Sequence, residues 1–274
     1  MSSEKNKAPL GVFDSGVGGL TVAREIAREM PCEEMVYLGD TARLPYGSKS
    51  PDTVRRFALE DADFLMSRGV KAIVVACNTA TAFALPILQR EMPVPVIGVL
   101  DAGVEAALQS TRNGRLGLIG TVGTVASQAY QKELKRRSPN IHVVARATPL
   151  LVPLIEEGWL DHPATKLVLK EYLESFLEQD VDTLLLACTH YPLLKPVISS
   201  ILGEGVSLVD SSTTCALHLR RIMEEKNMVA TRVARGKMDI YLTDQTENFE
   251  SLARCIVPGE IRKISAAALV SRAF

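Results

Sequence analysis

The amino-acid sequence predicts an α/β protein of two pseudo-symmetric domains. Each is expected to be a mostly parallel sheet flanked by helices, with the active site in the cleft between them. Three observations carry this. Short aliphatic runs of strand length recur along the 274 residues. Helix-patterned stretches separate most of them. The second half of the chain also repeats features of the first at a nearly constant offset.

The runs come in order at 11–14 (GVFD), 35–40 (MVYLGD), 72–77 (AIVVAC) and 94–99 (VPVIGV), then at 116–121 (LGLIGT), 142–147 (HVVARA), 183–188 (TLLLAC) and 206–210 (VSLVD). Near-continuous Val, Ile and Leu over this length suits strands buried on both faces of a parallel sheet. The clearest helix spans 50–69. Ser50 can cap it, Pro51 fits its first turn, and Val54, Phe57, Ala58, Ala62 and Leu65 make one apolar face. Gly69 can close it in a left-handed turn. Strands alternating with such helices indicate βαβ units.

Composition narrows the class. The chain is 47 % apolar and 5 % aromatic, enough for a large aliphatic core. The 31 Lys and Arg nearly balance the 32 Asp and Glu, so the basic surplus of a nucleic-acid binder is absent. No apolar run approaches the ~20 residues of a membrane span. Residues 1–9 are polar and Lys-bearing with no apolar segment behind them, unlike a signal peptide. A cytoplasmic location is expected. There Cys32, Cys77, Cys188, Cys215 and Cys255 would be free thiols. No CxxC pair occurs, so no structural metal site is expected.

The internal repeat is centred on two of these thiols. AIVVACNTATA at 72–82 matches TLLLACTHYPL at 183–193, with Cys77 and Cys188 standing 111 positions apart. FDSG before Gly18-Gly19 echoes IGT before Gly123-Thr124, and VLDA at 99–102 echoes LVDS at 208–211. Four features in the same order imply a duplication. Most free cysteines are small buried hydrophobes. Here both end a predicted strand, before Asn78-Thr79 and Thr189-His190, at the sheet edge where α/β ligands sit. Two halves facing each other would present the thiols to opposite sides of one carbon. One could act as base and the other as acid, which is what inverting a stereocentre needs. A helix beginning just after each would favour the thiolate.

Around Asp14-Ser15-Gly16-Val17-Gly18-Gly19, a dinucleotide site with Asp40 as its acidic partner is disfavoured. The glycine spacing is not GxGxxG, and Asp14 would repel a pyrophosphate. A small-molecule pocket fits better, with the helix N-terminus binding a carboxylate and Asp14 meeting an ammonium or a thiol. Pro45-Tyr46-Gly47-Ser48 reads equally as a turn or a ligand loop. His190 reads equally as structural or as a proton relay. Glu156, Glu157, Lys71 and Lys195 read as solvated.

Five motifs together carry a family resemblance: FDSGVGGL at 13–20, LGDTARLPYGSKS at 38–50, VVACNTATA at 74–82, LIGTVGTV at 118–125 and LLLACTHYPLL at 184–194. With these the chain resembles the glutamate racemases of the aspartate/glutamate racemase superfamily, from about residue 10 to 225. The resemblance implies interconversion of L- and D-glutamate without PLP, metal or nucleotide, and supply of D-glutamate for peptidoglycan, hence for the cell wall and cell shape. It implies a first domain from 1–98 plus 211–274 and a second from 99–210. Cys77 matches the base for D-glutamate and Cys188 the base for L-glutamate, with Asp14 and His190 as their polar assistants. Ser15, Tyr46, Gly47, Ser48, Asn78, Thr79, Thr121, Thr124 and Thr189 match substrate-binding positions. Glu156 matches a position that tunes the second cysteine in some members. Glutamate is the expected partner, with a homodimer as the oligomer considered and no nucleic acid or membrane. The runner-up activities are racemisation of aspartate or hydantoins. A non-catalytic binder of small ligands would be marked by loss of one thiol. Nothing is carried over beyond Asn227.

Overall fold

The computed structural model describes residues 6–245 and 247–272. Among the described residues ten strands form two sheets. The first has the order β10-β9-β2-β1-β3-β4, from β1 (Leu10–Asp14), β2 (Met35–Gly39), β3 (Ala72–Val75), β4 (Val96–Gly98), β9 (Met238–Leu242) and β10 (Ile261–Ala266). The second has the order β6-β5-β7-β8, from β5 (Arg115–Gly120), β6 (His142–Ala147), β7 (Thr183–Ala187) and β8 (Ser207–Asp210). Every pairing in both sheets is parallel. The order 2-1-3-4 recurs as 6-5-7-8, so the repeat seen in sequence is also a repeat of topology.

Helices cover both faces of each sheet. Leu10, Val12 and Val74 pack with Leu20 and Ile26 of α1 (Leu20–Glu29), Leu219 of α10 (Ser212–Glu225) and Phe249 of α11 (Glu247–Ile256). Phe13, Ile73 and Val75 pack the other way, on α2 (Pro51–Ser67) and α3 (Asn78–Glu91), through residues such as Val54, Ala58 and Ala84. In the second sheet Ile119, Leu184 and Leu186 meet α8 (Pro163–Glu178) and α9 (Lys195–Leu202). Leu116, Leu118 and Leu185 meet α4 (Leu100–Ser110) and α6 (Ala129–Arg137). Helix α2 follows the sequence rules closely: the Thr53 amide donates to Ser50, Pro51 opens the helix, and Gly69 turns out at φ +70°. No helix among the described residues is long and apolar enough to cross a membrane.

Strands β9 and β10, beyond Asn227, join the first sheet. Two expectations need correction. Lys71 is not solvated: it is buried and paired with Glu33 at 2.7 Å. Its ammonium also donates to the Asn6 carbonyl. A buried cation needs such partners because desolvation otherwise expels it. Lys195 opens α9 and is paired with Asp210 at the end of β8.

Candidate active site

In both sheets the first strand has its successors on opposite sides, β2 and β3 beside β1, β6 and β7 beside β5. A crevice opens beyond the carboxyl ends of strands at such a point. Asp14 ends β1, Cys77 follows β3, Thr121 follows β5 and Cys188 follows β7.

Asp14 is fully buried. Its Oδ2 accepts from the amides of Gly16 at 3.2 Å and Gly19 at 3.0 Å, and the Thr189 hydroxyl donates to Oδ1 at 3.3 Å. The N-terminus of α1, expected to take a ligand carboxylate, is therefore engaged by a carboxylate of the chain itself. Burial raises the Asp14 pKa against the opposing pull of His190 and these donors.

Cys77 caps α3 and is 6 % exposed. The Ala80 amide and the Ser15 hydroxyl, 3.9 Å away, favour its thiolate. The expectation of a lowered pKa nevertheless fails. Burial pushes the thiol up, and the charges of Asp14 and Cys188 add to the rise. Placement differs at Cys188, also 6 % exposed. No helix starts directly after it; the chain passes through Thr189 and His190 into a 3-10 turn at Tyr191–Leu194.

His190 lies at the centre of the second cysteine's surroundings. Its Nδ1 is 3.8 Å from Cys188 Sγ and its Nε2 is 3.1 Å from Glu156 Oε1, at the end of α7 (Leu151–Glu156). Burial disfavours the imidazolium. Hydrogen bonds to Cys188 and Glu156, with the charges of Cys188 and Asp14, outweigh burial and raise the pKa to about 10. Both ring nitrogens then carry protons near neutrality, one donated to sulfur and one to Glu156. Glu156 is accordingly not a merely solvated residue; Glu157 beside it lines a cavity of about 180 Å³ with Gly16, Leu44 and Phe249.

The expected binding residues fall into distinct settings. The Thr79, Thr121 and Thr124 hydroxyls bond one another at 2.8–3.0 Å, joining α3 to α5 (Val122–Ser127) across the two halves. Asn78 is buried, and its Nδ2 has no partner among the described residues. Gly47 abuts Thr121 so tightly that any Cβ there would collide with that side chain. The Ser48 hydroxyl donates to Pro45 O within its own turn at 3.3 Å, and Ser48 lines a cavity with Thr121 and Thr148. The Tyr46 hydroxyl is committed elsewhere, to Asp40 and to Asp61 at 2.7 Å, inside a cluster completed by Arg43. Gly18 is a contact between the halves: an added Cβ would stand 2.5 Å from His190 Nδ1 and from Thr189 Oγ1. Reading the sequence missed the Asp40–Asp61–Arg43 cluster and Tyr130, which bonds Asn78. Asp40 and Arg43 lie in the motif at 38–50, but Asp61 and Tyr130 lie in none of the five motifs. No group of three or more His, Cys, Asp or Glu among the described residues is placed to hold a metal ion.

Known proteins share the sequence family and the fold. The family model for Asp/Glu/hydantoin racemases matches residues 18–219. A glutamate racemase of Geobacter metallireducens is 46 % identical over 92 % of this chain and 93 % of its own length. The structure resembles glutamate racemase isoform RacE1 from Bacillus anthracis with TM-score 0.92 and 38 % identity, covering 97 % of this chain and 100 % of that one. It also resembles the Francisella tularensis glutamate racemase solved with D-glutamate, with TM-score 0.89 and 37 % identity over 96 % and 98 % of the two chains.

Proposed function

The chain belongs to the Asp/Glu/hydantoin racemase family, and from that premise we propose that it interconverts L- and D-glutamate through two opposed thiols. The observation that carries the proposal is the pair of buried cysteines beyond equivalent strands, each beside its own ionisable partner. From D-glutamate, Cys77 removes the Cα proton and Cys188 returns one to the opposite face. From L-glutamate the roles exchange. Removing a proton beside an ammonium and a carboxylate is hard, since the developing charge has little to spread into. A buried thiolate, stripped of water, is a strong base for that step, and fixed donors must hold the substrate carboxylate. The partnerless Asn78 amide and the threonine hydroxyls are the donors we assign to that task.

The two domains of the mechanism are 1–98 with 211–274 and 99–210, closing on the substrate between them. All five cysteines are free, which fits a reducing cytoplasm. There the product D-glutamate would feed peptidoglycan. The test is exchange of the Cα proton with deuterated solvent, together with turnover, from each enantiomer. Cys77→Ser and Cys188→Ser are each expected to lower racemisation by at least ~10²–10⁴-fold, because a hydroxyl is a far poorer base. Near-native turnover in either variant would remove the two-thiol mechanism. Faster turnover of aspartate than of glutamate would shift the substrate to the sister activity.

A further inference from the structure

Asn78 has a partner that no local pattern announces. Tyr130, on α6, donates its hydroxyl to Asn78 Oδ1 at 2.5 Å. The tyrosine is fully buried. Its ring is seated against Gly103 of α4, where a Cβ would stand 3.2 Å from Cε1 and 3.4 Å from the hydroxyl. The other arm of the carboxamide, Nδ2, is buried with no hydrogen-bond partner among the described residues. Asn78 thus has its acceptor used and its donor idle, directly beside Cys77. An unpaired buried donor costs about 1–3 kcal/mol. Such a cost is removed when a ligand supplies the acceptor.

We propose that Tyr130 is a positioning residue: it holds the Asn78 carboxamide with its NH₂ arm turned to the substrate, where that arm donates to the carboxylate of the bound amino acid. This rests on the glutamate reading above. A carboxamide can turn over, exchanging its donor and acceptor arms. With Tyr130 as donor, turning over would leave the phenolic hydrogen without Oδ1. It would also present the bare amide oxygen to an anionic substrate. Burial pushes the Tyr130 ionisation up, so the phenol stays a neutral donor over any working pH. The bond runs from a helix packed on the second sheet to one packed on the first. The same bond therefore both links the two halves and orients the amide.

Tyr130→Phe keeps the ring and removes only the hydroxyl. In this variant KM for both glutamate enantiomers should rise about tenfold, the worth of one hydrogen bond, with kcat changing much less. In an Asn78→Ala background, Tyr130→Phe should add nothing further, because the group it aims is gone. An unmoved KM in the single variant, or losses that multiply in the double variant, overturns the inference while leaving glutamate racemisation intact. Wild-type protein that does not racemise glutamate overturns both. Should Tyr130→Phe fail to fold, 4-aminophenylalanine placed at 130 keeps the ring and a donor. It is expected to retain wild-type KM, and folded protein with a raised KM overturns the inference.

Discussion

At the scale of single residues, the two cysteines have different assistants. Burial and then the carboxylate of Asp14 raise the Cys77 thiol, whereas His190, with its pKa near 10, brings a positive charge to Cys188. Each assistant should matter most where its own thiol leads. Asp14→Asn is expected to slow turnover from D-glutamate more than from L-glutamate. His190→Asn should do the reverse, with losses of ~10²–10⁴-fold in kcat. The Haldane relation makes kcat/KM fall equally in both directions, so the asymmetry must be read in kcat or in the loss of substrate-derived deuterium. Equal kcat losses in both variants would dissolve the side-specific pairing. Thr189 ties the two sides together through its bond to Asp14, so some cross-effect is expected. The cysteines and His190 were legible because a strand end followed by polar residues is a local pattern. The Tyr130 partnership was not, since it joins residues 52 positions apart and Tyr130 lies in none of the motifs.

At the scale of elements, the 3-10 turn Tyr46–Ser48 sets Gly47 against Thr121, and the turn is itself anchored by a buried hydroxyl. Tyr46→Phe removes the single hydroxyl shared between Asp40 and Asp61, both fully buried. Unfolding by denaturant should show a loss of about 1–3 kcal/mol; a change below about 0.5 kcal/mol would mean that Arg43 and the Thr243 hydroxyl satisfy the carboxylates without it. The eight strands expected from the sequence are all present, trimmed by a residue or two at some ends. The two missed strands have physical reasons. In β9, Asp239 interrupts the aliphatic run, and it is tolerated because Arg262 bonds it at 2.6 Å. Strand β10 is an edge strand whose Arg262 and Lys263 are exposed, so its pattern reads as a charged loop. A charge that one strand supplies to its neighbour is invisible to a rule that scores each segment alone.

At the scale of the molecule, the halves meet through backbone kept bare of side chains. Gly18→Ala would push a methyl into Thr189 and His190. Each sheet's own core is untouched by that change, so the melting temperature should move little. Catalysis should fall about 10²-fold, as for a misplacement near 1 Å; steady-state kinetics beside a thermal melt separate the two effects. Activity near wild type would show that the contact yields without cost. The repeated strand order has a further consequence. On the proposed chemistry, either half alone is a one-handed tool. It could lift a proton from a carbon and set it back only where it came from, which is exchange without inversion. Joining a second copy makes the tool ambidextrous, and the flat carbanion between them has no handedness of its own to resist. What remains of left and right in this protein then resides in the unlike pair beside the thiols, a carboxylate on one side and an imidazole on the other.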